Sequence, residues 1–113
     1  MAIQNWSENI VVVDLGDDPQ FSDDLNALID RLEESPSHAV LNFSAVGFIN
    51  SSNVAKLLRL CKVMIASQRR LIFSAVNTQV WGVFLVTGLD KVFEFHDDVA
   101  TALATVQLTA PPR

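Results

Sequence analysis

Apolar positions along the chain change period several times, and each change marks an element. Ile3 to Trp6 and Ile10 to Leu15 are short β-type runs joined by the polar Ser7-Glu8-Asn9, a spacing suited to a hairpin. Gly16-Asp17-Asp18-Pro19 reads as a turn. Leu25, Leu28, Ile29 and Leu32 then recur at helical spacing and predict a helix to about Glu34. Ser22 reads as its N-cap, with Asp23 and Asp24 in a first turn whose dipole favours acids. Ser35-Pro36-Ser37 ends it. The apolar run Ala39-Val40-Leu41-Asn42-Phe43 is too short for a helix with these flanks and reads as a buried strand.

A second helix is predicted from about Ser52 to Ser67. At about 100° per residue, Leu57, Leu58, Leu60, Cys61, Met64 and Ile65 gather on one side, and Lys56, Arg59 and Lys62 on another. Cys61 thus falls in the apolar arc and reads as core rather than as a nucleophile. Arg69-Arg70 leads into another buried strand, Leu71 to Val76. Asn77 can cap a third helix from Thr78 to about Val86, ended by Thr87-Gly88, where glycine is favoured. Trp81 and Phe84, at helical spacing on it, read as core. Val92 to Phe95 is a short strand, and Asp97 caps a last helix to about Gln107. Residues 1–107 therefore form one domain, with Leu108 to Arg113, including Pro111-Pro112, as a frayed tail. Strands alternating with helices imply parallel pairing with right-handed crossovers, and the opening hairpin adds an antiparallel edge. The fold class is α/β, a mixed, mostly parallel sheet with alternating helices.

Composition narrows the function. At 113 residues with 50% hydrophobic content, the chain can bury one core without metal or disulfide. The start lacks the basic and apolar regions of a signal peptide, and no apolar run approaches membrane-span length. The single Cys61 has no internal partner for a disulfide. Together these point to a reducing cytosol, hence a cytoplasmic protein, with no direct membrane insertion. The net charge of −5 argues against nucleic acid as a partner. Its distribution is uneven. Between Ser35 and Leu89 there is no acid, only Lys56, Arg59, Lys62, Arg69 and Arg70, so the second helix carries a basic stripe.

Catalytic constellations are missing. The chain has no glycine-rich phosphate loop, paired-cysteine metal site or serine elbow between glycines. His38 and His96 stand alone in different loops. His96-Asp97-Asp98 reads as a helix cap beside a surface histidine rather than a metal site. Asp17-Asp18 and Asp23-Asp24 are explained by a turn and a helix start. Neither enzyme activity nor a cofactor or metal is expected.

Chemistry concentrates instead at Val46-Gly47-Phe48-Ile49-Asn50-Ser51-Ser52-Asn53-Val54, where a strand passes through a turn into a helix. Asn and Ser suit that position because their side chains accept hydrogen bonds from unpaired first-turn N–H groups. As caps alone, the serines need no further role. A phosphate on one of them, however, would sit in the favourable field of the helix N-terminus.

Together with the order of elements, this stretch resembles the STAS family of bacterial anti-sigma-factor antagonists. In that family an apolar strand is followed by an apolar pair and Asp-Ser-Ser-Gly-Leu, here Ile49-Asn50-Ser51-Ser52-Asn53-Val54. Val86-Thr87-Gly88-Leu89-Asp90-Lys91 resembles its Leu-Thr-Gly-Leu-Asp segment, and Asp97 to Leu103 its terminal helix. The resemblance implies a non-catalytic regulator of transcription that binds an anti-sigma factor with serine-kinase activity. It also implies switching by phosphorylation at Ser52, with Asn50, Ser51, Asn53 and Lys56 as the partner-binding surface. Asn42 and Asn50 stand where the family usually has aspartates, and Asn53 replaces its glycine, an exchange compatible with a positive φ. Pro19 sits near its usual acid. The two aspartate-to-asparagine exchanges favour the alternative, a constitutive STAS interaction module such as a signalling scaffold or a lipid-transport auxiliary subunit, bound to another STAS-binding protein and not phosphorylated, whereas the retained serine pair favours the switch. A homodimer is left open. A third reading has the Ser51-Ser52 turn bind a small anion or nucleotide, aided by Lys56.

Overall fold

The computed structural model of the chain describes residues 3–109. The alternating and continuous apolar runs form β1 (Ile3–Asn5), β2 (Ile10–Gly16), β3 (His38–Ala45), β4 (Leu71–Ser74) and β5 (Glu94–His96). The longer-period segments form α1 (Gln20–Glu34), α2 (Ser51–Ala66), α3 (Thr78–Thr87) and α4 (Val99–Thr109), with a short 3-10 turn at Leu89–Lys91. One sheet holds all five strands in the order β1-β2-β3-β4-β5. β1 pairs antiparallel with β2, and every later pair is parallel. The α/β, mostly parallel, STAS-like architecture expected from the sequence is the one observed.

Side-chain alternation explains the layers. Val11, Val13, Leu15, Leu41, Phe43 and Phe73 point to one face and pack with residues from α1, α2 and α3, such as Leu28, Leu57 and Phe84. Ile10, Val12, Val40 and Ile72 point to the other and meet Ala102, Leu103 and Val106 of α4. Both faces of β3 are therefore dry over Ala39 to Leu41, which is why its sequence there is unbroken apolar, whereas Asn42 is half-buried and Ser44 exposed. Phe84 is fully buried in a ring cluster with Phe43 and Phe73, whereas Trp81 is only half-buried, edge-on to Phe95 at 4.9 Å.

Several boundaries differ from expectation for identifiable reasons. α1 begins at Gln20 rather than after Ser22. The capping oxygen comes from Asp18, whose Oδ1 accepts the Ser22 N–H at 2.9 Å and its hydroxyl at 2.7 Å. β4 stops at Ser74 because Ala75 takes the left-handed φ of 58° and turns the chain out of the sheet. Asp98, not Asp97, caps α4 by accepting the Thr101 N–H at 2.7 Å. Leu108 and Thr109, expected in the tail, belong to α4, and residues 110–113 lie outside the described residues. On α2, Cys61 packs partly against the core, but Leu58 and Ile65, expected in the same apolar arc, are 41% and 71% exposed.

Candidate functional site

The segment between β3 and α2 is pinned from two sides. Val46 is buried, and its carbonyl accepts a hydrogen bond from the Asn77 amide at 2.8 Å, while Asn77 also caps α3 through the Val80 N–H. Gly47 donates its N–H to Asp17 Oδ1 at 2.8 Å, and an added Cβ there would meet the Asp17 carboxylate at 3.4 Å. Phe48 then stands 63% exposed while Ile49 is anchored at 6%. The loop is held at Val46, Gly47 and Ile49, and Phe48 projects between them.

Asn50 follows as the N-cap of α2, in extended backbone. Its side chain accepts the Asn53 N–H at 2.8 Å, and Asn53 accepts the Asn50 N–H at 3.0 Å, a reciprocal capping box built from two asparagines. With its oxygen so occupied, the Asn53 amide nitrogen donates to Asp18 Oδ2 at 2.8 Å. These hydrogen bonds, led by that from Asn53 and followed by that from Ser22, hold the Asp18 carboxyl below its usual range. Asp18 thereby ties the starts of α1 and α2 together. One strand register earlier, the Asn42 amide donates to Asp14 at 2.9 Å, a bond that an ionised aspartate at position 42 could not make.

Asn53 was expected at a positive φ on a docking surface. It is instead the N3 residue of α2, its φ is not positive, and it is 2% exposed, so it lies beneath the surface rather than on it. Asn50, Ser51 and Ser52 are exposed, and Lys56, one turn on, is half-buried with its ammonium 3.5 Å from Asn26 Oδ1. Because the asparagines supply the cap, neither the Ser51 nor the Ser52 hydroxyl has a hydrogen-bond partner among the described residues. The two serines are structurally unused. Asp17 and Asp18, read from the sequence as a plain turn, brace the site. The asparagines at 42 and 53 were the available signal, since each amide in place of a charged or small residue has found a carboxylate across the strand-to-helix turns.

Among the described residues no cluster of histidine, cysteine and acids could hold a metal, and no helix is long and apolar enough to cross a membrane.

The sequence model of the STAS domain matches residues 4–102. No curated protein matches the chain by sequence. Among solved structures, an anti-sigma-factor antagonist (STAS) domain protein from Planctomyces limnophilus is 17% identical, covers 93% of this chain and 97% of its own, and superposes with a TM-score of 0.79. RsbS from Moorella thermoacetica, in a serine-to-glutamate variant, is 13% identical over 98% of this chain and 100% of its own, with a TM-score of 0.79. The anti-sigma factor antagonist SpoIIAA in its unphosphorylated form is 19% identical over 93% of this chain and 96% of its own, with a TM-score of 0.72. At these identities the likeness is one of fold.

Proposed function

The chain belongs to the STAS domain family, and we propose that it is a non-catalytic regulator, an anti-sigma-factor antagonist whose docking to a serine kinase is switched by phosphorylation of Ser52. One observation carries this reading: the Asn50–Asn53 box performs the capping, so the exposed Ser52 hydroxyl, at the second position of α2, is spared from any structural task. A kinase can reach it without disturbing the fold. A phosphate there would add about −1.5 to −2 charges at the positive end of a helix, where anions are tolerated. The domain would therefore stay folded while the surface formed by Asn50, Ser51, Ser52 and Lys56 becomes strongly anionic. A partner seated on that surface would be expelled by repulsion and by the cost of desolvating the new charge.

The second reading, a constitutive interaction module, draws on Asn50 itself. A neutral amide occupies the helix cap where the family resemblance places an aspartate, so any assistance that carboxylate gives to phosphoryl transfer is missing.

Intact-mass measurement of the protein from its native cells, under growth and stress, tests the choice. One added phosphoryl group that disappears in Ser52→Ala supports the switch. A modification that persists in Ser52→Ala, or an unmodified mass in every condition and with the cell's serine kinases supplied, refutes it and leaves the constitutive module.

A further inference from the structure

The outward side of α2 carries a pattern that the core does not use. The buried side is Asn53, Leu57, Leu60 and Met64. On the opposite side Ala55, Leu58, Lys62 and Ile65 follow one another at steps of three and four residues, the spacing of a seam on which a second helix packs. Leu58 and Ile65, 41% and 71% exposed, are its apolar members. Beside Ile65 a groove of about 210 Å³ runs between α2 and β5, lined by Cys61, Ile65, Arg69, Leu71, Val92 and Phe93. Val92, on its far lip, is 54% exposed. Apolar side chains grouped this way around a groove lose free energy to water unless something covers them.

We propose that this seam and groove dock a helix of another protein, one whose apolar stripe is flanked by acidic residues. The charge of the surface selects that partner. The exposed Lys62 side chain has no hydrogen bond or ion pair among the described residues and Arg69 lines the groove itself, whereas Arg59 stands over the cleft to α1 that Asp30 also lines. The carboxylate at the groove, Glu94, is already held by Arg70 and His96. α2 carries no acid at all. A second copy of the chain fits poorly. Its own α2 would bring like charges together, the exposed side of α1, with Asp23, Asn26, Ala27 and Asp30, is acidic but offers no large apolar side chain, and α3 and α4 expose Leu85, Val86 and Leu108 but contain no acid. At about 1.5 Å per residue, Ile65 lies roughly 20 Å along the helix from Ser52. The groove end of the surface is thus well separated from the proposed phosphorylation site, and a partner anchored there keeps its apolar contacts when Ser52 is modified.

The experiment is an amide NMR titration of the whole chain with two synthetic amphipathic helical peptides that share an apolar stripe. One has glutamates flanking the stripe and the other lysines. The expected result is saturable shifts over Leu58 to Arg69 and at Val92 with the glutamate peptide alone. Binding should weaken about tenfold or more in Ile65→Ser, as for an apolar anchor at an interface centre. It should also weaken with added salt and fall far less in Ser52→Glu than in Ile65→Ser, since Ser52 lies roughly 20 Å from that anchor. Ile65 is exposed, so its replacement leaves the core intact. Equal binding of both peptides, shifts centred on Asn50 to Asn53, or the lack of saturation would overturn the proposal. So would self-association that Ile65→Ser abolishes, which assigns the face to a second copy. None of these outcomes touches the Ser52 reading, which stands or falls on the phosphate.

Discussion

Replacing Asn53 with glycine, the residue usual in the family at this position, should destabilise this protein rather than leave it neutral. The substitution removes the Asn53 side chain's half of the capping box, its 3.0 Å bond to the Asn50 N–H, and its 2.8 Å bond to Asp18. A net contribution of about 1 kcal/mol for each hydrogen bond, the first partly buried and the second to an exposed carboxylate, gives about 2 kcal/mol. Glycine inside the first turn adds up to about 1 kcal/mol of backbone entropy. The total is about 2–3 kcal/mol. Urea unfolding at neutral pH should show it as a lower midpoint with an unchanged slope. Asp18→Ala alone and the double variant complete a cycle whose coupling should be about 1 kcal/mol, since the two side chains touch directly. The advantage of Asn53 should also depend on acid. The Asp18 carboxyl is held below the ordinary aspartate value of 3.8 chiefly by the Asn53 bond. That stability is fully present above the unfolded value and is lost as pH falls through the lowered folded one. An Asn53→Gly variant within about 0.5 kcal/mol of the parent, a shift comparable to an ordinary surface substitution, would refute this account of the turn.

Two further outcomes follow from one buried and one half-buried group elsewhere. His38 is 5% exposed, its Nδ1 accepts the Arg70 N–H at 2.9 Å, and burial, with Arg69 and Arg70 nearby, lowers its pKa. The neutral ring is the folded form, so stability should be complete above the unfolded value of 6.5 and decline as pH falls toward the depressed one; thermal melts across that window should show the slope, and His38→Gln should flatten it. Burial likewise pushes the Cys61 thiol up, so a thiol-selective disulfide reagent should modify it several-fold more slowly than a small-molecule thiol, a difference erased in denaturant.

Much of the architecture was readable because hydrophobic period and sheet geometry coincide. The continuous apolar run in β3 needs cover on both faces, and the amphipathic α1 needs one, which already implies a layered α/β domain. The errors have physical causes. Leu58 and Ile65 fall within the apolar arc by angle, but an arc does not distinguish a stripe that meets the core from one that meets solvent. The left-handed turn at Ala75 carries no signature, since alanine is not a residue that favours it. At the site, the exposed serines were legible from their place after a strand. The Asp18–Asn53 bond was not, because it joins two helix starts far apart in sequence that meet only where α1 and α2 pack side by side on one face of the sheet, and each residue looked locally sufficient as a turn or a cap.

The strand order has a consequence for how the domain is made. Because β1 to β5 lie side by side in the order of translation, each strand leaving the ribosome finds its sheet neighbour already present, so pairing can advance strand by strand. The face formed by Ile10, Val12, Val40 and Ile72 is different, since its cover is α4, synthesised only after all five strands. Until α4 arrives, a nascent sheet holds that apolar face open to water and to other chains. A chain cut before α4 should therefore leave that face exposed and aggregate more readily than the whole domain.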